Sequence, residues 1–391
     1  VMAETALLRQ AGGFDSRFDG AQDHDMLLRL TEILPPEQIH HVPEILYHWR
    51  KSANSTAGAG SGAKPRAVRA GERAVTAHLK RCGLPGKAVS RDGLTCYRVD
   101  WQPGRATRQQ DKVSILIPFR DQIEMTAECV AAIRRHTRDV PYEIILLDNW
   151  STGPEAEAFL TAQGNFANTK IVRVAETFNY SRINNIGASE AKHPFILFLN
   201  NDVFVRDGHW LRRMVDECVV NQKVSAVGIK LLYPNETVQH AGVVLGVGGV
   251  ADHAFRGIGR DSPGYVMRAM VAQRVSAVTG ACMLVRRAAF EAVQGFDEAA
   301  LAIAFNDIDL CMKLARDGGE IVFLADVVAE HRESMSRGDD FRDAKLARFM
   351  DENEVMKQRY AGVLGCDPFY NPHFSREGGV YRELRLLQPG E

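Results

Sequence analysis

The chain is short of several signals that would assign it quickly. Its seven cysteines, at positions 82, 96, 129, 218, 282, 311 and 366, are odd in number and form no C-x-x-C pair. That argues against a zinc ribbon or a disulfide framework and for free thiols in a reducing compartment. An excess of one charge is also missing: 48 Lys plus Arg oppose 49 Asp plus Glu, for a net charge of -1. No overall field therefore draws the chain to nucleic acid or to an anionic membrane. Apolar stretches such as Phe195 to Leu199 fall far short of the roughly 20 residues that a membrane helix needs. Neither G-x-x-x-x-G-K-[ST] nor G-x-S-x-G occurs, which removes P-loop hydrolysis and the nucleophile elbow of the hydrolases. The opening residues carry no cationic and then apolar leader, and Val1 stands where Met would, so the start is expected to be cut.

What is present reads as globular. With 45% hydrophobic and 25% charged residues among 391, the chain can bury a large core, and its length suggests about two to three domains. Residues 1–56 predict helix, turn, helix and a short strand over the apolar run Val42 to Tyr47. The run ANSTAGAGSGAK at 53–64 has linker composition, and 65–110 reads as a connector that begins with a helix. From Val113 three short apolar runs each end in polar residues: 113–117 into Pro118-Phe119-Arg120-Asp121, 143–147 into Asp148-Asn149, and 195–199 into Asn200-Asn201-Asp202. Amphipathic stretches at 126–136, 154–163 and 181–191 separate them, the pattern of buried parallel strands with crossover helices. The fold class is α/β, and ligands of such sheets sit beyond the carboxyl ends of the strands. One unit recurs: GGFDSRFDGAQDHDMLLRL (12–30) echoes QGFDEAALAIAFNDIDLCMKL (294–314), with His48 and His331 following at similar distances. Expected boundaries are therefore 1–58, 59–110, 111–340, and a helical then extended tail over 341–391.

Several residues could carry chemistry. Asp202 at a strand end and His331 could converge on a divalent cation, Mg²⁺ or, with an imidazole, Mn²⁺. They could equally be a helix cap and a surface imidazole. Asp307 opens a helix and suits a general base within reach of a substrate hydroxyl, whereas Asp309 reads as an N-capping acid. The glycine-rich run 246–251 is followed by no apolar helix and is discounted as a dinucleotide fingerprint.

Taken in order, VSILIPFRD, EIILLDNWSTG, FNYSRINNIGASEAKHPFILFLNNDVFV, VTGACMLVRRAAFEAVQGFDE, FNDIDLCMKL and AEHRESMSRG resemble the motifs of family 2 glycosyltransferases across about residues 111–340. The resemblance implies a GT-A fold, a Rossmann-like mixed sheet flanked by helices. Residues 1–56 resemble the last third of a second such domain, a small α+β remnant whose upstream part is absent. By position, Pro118, Phe119, Arg120, Asp121, Asp148 and Asn149 match residues that hold the nucleotide. Asn179, Asn185 and Gly187 match the segment that follows it toward the sugar. Asp202 matches the last acid of the D-x-D motif, with Asn200 and Asn201 in place of earlier acids, and His331 matches the histidine that joins the metal. Gly280, Ala281 and Asn306 fall on the acceptor side, and Asp307 on the base of the E-D motif. The implied activity is inverting, metal-dependent transfer of a hexosyl or deoxyhexosyl group from a UDP-, dTDP- or GDP-sugar to a glycan or lipid-linked glycan. The implied pathway is bacterial surface-polysaccharide or O-antigen assembly. Its setting would be the cytoplasm or the inner face of the cytoplasmic membrane, with peripheral membrane association and the upstream domain as partners, and without nucleic acid. A glycan-binding domain without catalysis, a nucleotidyltransferase and an oxidoreductase remain as rivals.

Overall fold

The computed structural model describes residues 1–44, 46–48, 65–104, 111–333 and 343–385, so the expected linker at 53–64 lies outside the described residues. Internal contacts divide the chain into two compact units, Val1–Gly104 and Arg105–Glu391.

The first unit contains helices α1 (Thr5–Gln10), α2 (Gln22–Ile33) and α3 (Pro65–Arg81), followed by an antiparallel hairpin of β1 (Gly86–Ser90) and β2 (Tyr97–Trp101). Val68, Ala70, Ala74 and Leu79 supply the buried stripe of α3. The strand expected over 42–47 is not formed by the described residues there. Val42, Leu46 and Tyr47 are instead exposed, because an apolar run becomes a strand only where a neighbouring strand completes its hydrogen bonds. The repeated motif keeps its local chemistry. Asp15 accepts the amide of Arg17, and Asp25, fully buried in the first turn of α2, accepts from Arg29 Nε at 2.9 Å and Nη2 at 2.6 Å.

The second unit is built on a ten-stranded mixed sheet. Its strands are β3 (Val113–Phe119), β4 (Tyr142–Asp148), β5 (Thr169–Arg173), β6 (Phe195–Leu199), β7 (Val203–Val205), β8 (Val224–Leu232), β9 (Val238–His240), β12 (Gln273–Arg274), β13 (Cys282–Arg286) and β14 (Glu320–His331). A separate hairpin pairs β10 (Val243–Leu245) with β11 (Ala251–His253). The main order is β12-β14-β8-β13-β6-β3-β4-β5, with β7 on β14 and β9 on β8. Strands β3 to β6 are parallel, as the continuous apolar runs predict, whereas β13 runs antiparallel to both β6 and β8 and makes the sheet mixed. Helices α4 (Ile123–His136), α5 (Pro154–Gly164), α6 (Tyr180–Glu190), α7 (Trp210–Val220), α8 (Arg287–Ala292), α9 (Asn306–Arg316) and α10 (Asp343–Leu364) accompany it.

Successive strand residues feed two cores. Val113, Ile115 and Ile117 join one cluster and Leu116 the other, as alternation across a doubly covered sheet requires. The discounted run 246–251 forms the turn of the β10–β11 hairpin and the first residue of β11. Gly187 belongs to the packing of α6 on the sheet: a Cβ there would lie 2.6 Å from Leu147 Cδ1 and 2.8 Å from Leu116 Cδ2. Gly187→Val should therefore cost about 1–3 kcal/mol through overpacking, read as a lower urea midpoint with an unchanged slope.

Candidate active site

The carboxyl ends of β3 and β6 open onto one cleft of about 530 Å³, lined by Pro118, Phe119, Arg120, Asp121, Asn200, Asn201 and Asp202. Gln122, Thr177, Phe178, Tyr180, Ile303, Lys345 and Arg348 complete its lining. The chain turns sharply after β3: Asp121 and Gln122 have φ of 52° and 49°, left-handed values that cost non-glycine residues energy and recur at functional sites. The turn is held by the Asp121 amide donating to Ser151 Oγ at 2.7 Å and the Thr152 amide donating to Asp121 Oδ1 at 3.1 Å. These bonds knit the ends of β3 and β4 together.

Asp202 and His331 meet because β14 returns antiparallel to β7, pairing His331 with Val203. The imidazole Nε2 lies 3.1 Å from Asp202 Oδ1, and both side chains are buried. Gln239 defines the tautomer. Its Nε2 donates to Glu333 Oε2 at 2.7 Å, so its Oε1 accepts from His331 Nδ1, also at 2.7 Å. In the neutral ring Nε2 is then an acceptor, and Asp202 Oδ1 has no hydrogen-bond partner. An unpartnered buried carboxylate oxygen 3.1 Å from an imidazole nitrogen is a donor pair that would hold a divalent cation. The donor set of one carboxylate and one oriented imidazole fits a divalent cation.

Asp307 lies in the first turn of α9, half-buried, with Oδ2 accepting the Gly280 amide and Oδ1 the Ile308 amide, each at 2.8 Å. The same turn reaches the strand end that bears the other acid, since Ala281 O accepts the amide of Asn200 at 2.9 Å. Tyr180, on the cleft wall, donates to Gly280 O at 3.0 Å. A Cβ on residue 280 would come within 3.3 Å of both Asp307 Cβ and Tyr180 OH, so this close approach favours glycine. The turn thus contacts both Asp307 and the strand end that leads to Asp202, although Asp307 and His331 do not themselves line the cleft.

Asp309 does not serve as the expected N-cap. It is fully buried and accepts from Arg359 Nη1 and Tyr360 OH of α10, each at 2.7 Å, with Lys313 Nζ at 3.4 Å. Capping by an acid requires its side chain to fold back on the first-turn amides, and here α10 claims it instead. Burial and the Asp309 charge push the Tyr360 hydroxyl well above the ordinary phenol range, keeping it a neutral donor. Glu352 of α10 also accepts the amides of Ile303 and Ala304, at 3.1 and 2.6 Å, anchoring the loop before Asp307.

The other sequence-predicted residues, Asn201 apart, do not line the cleft. Asp148 is buried, accepts the Ser151 amide at 2.9 Å and faces Arg173 Nε at 3.2 Å. Asn149 donates to the carbonyls of Val174 and Glu176. Asn179 caps α6 through Arg182 N and donates to Glu298 O, while Asn185 bonds Phe296 and Glu298, so both fasten α6 to the 296–298 loop. Asn201 Nδ2 donates to Thr126 Oγ1 at 3.0 Å, and Asn306 turns inward to Ile303 O at 2.9 Å. Sequence reasoning missed Gln239, Lys345 and Arg348. The last two stand one helical turn apart, a spacing that signals a shared face but not what the face meets.

A protein-family model for glycosyl transferase family 2 matches residues 114–294. The chain contains a family 2 glycosyltransferase domain. It is 39% identical over 376 residues to the uncharacterized protein y4gI of Sinorhizobium fredii, covering 96% of this chain and 41% of that protein. It is 37% identical over 372 residues to the O-antigen biosynthesis protein RfbC of Myxococcus xanthus, covering 94% and 28%. The chain therefore spans less than half the length of these two relatives. The second unit carries the GT-A fold: a crystal structure of GalNAc-T7 with UDP, GalNAc and Mn²⁺ superposes with a TM-score of 0.53 at 14% identity, covering 68% of this chain and 51% of that one.

The two acids of α9 should separate in a stability experiment. Asp309→Ala leaves Arg359 and Tyr360 without their buried partner and should cost about 3–5 kcal/mol, whereas Asp307→Asn should change stability by no more than ~1 kcal/mol. Urea denaturation of both variants checks the contrast.

Proposed function

We propose that the glycosyltransferase domain transfers a sugar from a nucleoside-diphosphate sugar to a hydroxyl of a glycan or lipid-linked glycan, with inversion, in bacterial surface-polysaccharide synthesis. The supporting observation is the Gly280–Ala281 turn, which holds the Asp307 carboxylate at one end and the Asn200–Asp202 strand end at the other. The name of the Myxococcus relative favours O-antigen assembly. UDP and Mn²⁺ in the GalNAc-T7 structure favour a nucleotide donor and a divalent cation, Mn²⁺ or Mg²⁺. No helix among the described residues is long and apolar enough to cross a membrane, and we place the reaction in the cytoplasm or at the inner face of its membrane.

In this reading Pro118, Phe119, Arg120 and Asp121 receive the nucleoside in the cleft, while Asp148 and Asn149 brace the loop behind it. Asn179 and Asn185 hold the α6 wall on which Tyr180 stands. Asp202 and His331 would hold the cation, which when bound neutralises the charge of the diphosphate. Lys345 and Arg348 add positive charge where the leaving diphosphate develops its own. Asp307 takes the proton of the acceptor hydroxyl as that oxygen bonds to the anomeric carbon and the carbon–diphosphate oxygen bond breaks on the opposite face. The Gly280 and Ile308 amides keep the carboxylate aimed during the displacement.

Thermal shift with UDP-, dTDP- and GDP-sugars plus Mn²⁺ identifies the donor. Asp307→Asn should keep that shift yet lower transfer by roughly 10²- to 10⁴-fold; near-normal turnover would refute the base assignment. Gln239→Leu should weaken Mn²⁺ affinity by roughly 10- to 100-fold by freeing the His331 tautomer. Calorimetry giving equal nucleotide affinity with Mn²⁺ and with EDTA would remove Asp202 and His331 from a metal role.

A further inference from the structure

A second polar cavity, of about 230 Å³, lies between the β10–β11 hairpin and the segment after α10. The hairpin side offers Asp252, His253 and Arg256, and the C-terminal side Gly378, Gly379 and Arg382. The C-terminal segment is seated firmly. Tyr381 stacks on Phe255 at 4.9 Å and on Tyr265 at 5.2 Å, Asp367 accepts the Leu245 amide at 2.8 Å, and Arg376 donates to Leu364 O at 2.6 Å. The cavity is thus preformed by packing.

Its most informative member is His253. The Gly242 amide donates to His240 Nε2 at 3.4 Å, so the proton of the fully buried His240 ring sits on Nδ1. That Nδ1 lies 2.8 Å from His253 Nδ1 and donates to it, which leaves the His253 proton on Nε2. Burial, reinforced by neighbouring imidazoles, holds His240 far below the ordinary imidazole range and keeps it neutral. Burial also lowers the pKa of His253, against the opposing charge of the nearby Asp307 carboxylate. The ring that lines this cavity is therefore a neutral N–H donor of fixed direction, and Val243, paired with His253 across the hairpin, bridges Ala277 on the segment that leads to the Gly280 turn holding Asp307.

The rest of the lining selects the class of ligand. Asp252 accepts from Arg256 and from the His253 amide, while Arg256 and Arg382 bring guanidinium donors. A wall that both donates and accepts suits sugar hydroxyls, each of which does both. A bare phosphate would meet the Asp252 carboxylate, and an acyl chain would strand these polar groups without water.

We infer that this cavity is the acceptor-sugar subsite: it holds the terminal pyranose of a glycan acceptor, and His253, oriented by His240, positions the nucleophilic hydroxyl toward Asp307. The inference rests on the transferase reading above and names where and how the acceptor is recognised.

The test uses the full chain, the donor chosen by thermal shift, and a panel of para-nitrophenyl pyranosides of gluco, galacto, manno, N-acetyl and deoxy configuration as acceptors. His253→Ala should raise the acceptor KM about tenfold, the loss of one hydrogen bond, with donor affinity unchanged. His253→Gln, a neutral donor, should recover part of that loss, and Arg382→Ala should also raise the acceptor KM. Long-range ¹H–¹⁵N spectra, with the signal assigned through His253→Gln, should show His253 protonated at Nε2. An unchanged acceptor KM in both His253→Ala and Arg382→Ala, an Nδ1–H tautomer at His253, or donor hydrolysis without transfer to any pyranoside would each overturn the inference. Failure to bind any nucleotide sugar would instead count against the transferase reading, and the spectrum would still decide the His253 assignment.

Discussion

The arrangement around the cleft depends on one short turn. Gly280 gives its amide to Asp307 while Ala281 accepts the amide of Asn200, so two hydrogen bonds tie the helix bearing one acid to the strand end bearing the other. The turn leads directly into β13, which pairs antiparallel with both β6 and β8. Its position is therefore a consequence of sheet register and not of loop flexibility. Any shift of β13 by one residue would exchange its faces and carry the turn away from both acids.

Around that turn the fold spends buried charge to gain definition. Asp309 enters the core with Arg359, Tyr360 and Lys313 around it, and Glu352 takes two backbone amides of the loop that leads to Asp307. Such groups are costly to desolvate and become favourable only with several well-placed partners. Arg359, Tyr360 and Glu352 all belong to α10, so the helix that brings Lys345 and Arg348 to the cleft is the same one that braces α9 and the loop before it. The first unit repeats the acid-x-acid pattern with Asp25 buried against Arg29, which suggests that the second acid of the motif is the structural one in both copies.

Much of the fold was legible because its signals are local. The apolar runs ending at Ile117, Leu147 and Leu199 could only be buried strands, and the amphipathic stretches between them are helices within a few residues of the expected bounds. The apolar run at 42–47 misled because hydrophobicity without a pairing partner does not define a strand. Polar residues at strand ends and on α6 were harder to sort. Asn149, Asn179 and Asn185 look like ligand-binding residues, yet their amides satisfy backbone carbonyls on neighbouring loops. An asparagine that closes a loop and one that meets a ligand carry the same letter. Gln239, Lys345 and Arg348 had no motif at all, since their roles exist only relative to His331 and to the cleft.

The amino-acid sequence by itself determined the α/β class, the strand ends where polar residues gather, and the family likeness, because each follows from periodicity or from ordered short motifs. Tertiary structure alone decided which of those polar residues share a space. The antiparallel pairing of β14 with β7 sets His331 beside Asp202, the β13 turn joins the Asn200 strand end to Asp307, and the hairpin with the C-terminal segment encloses His253. Contacts between residues a hundred positions apart are set by strand order and register, which no local pattern encodes.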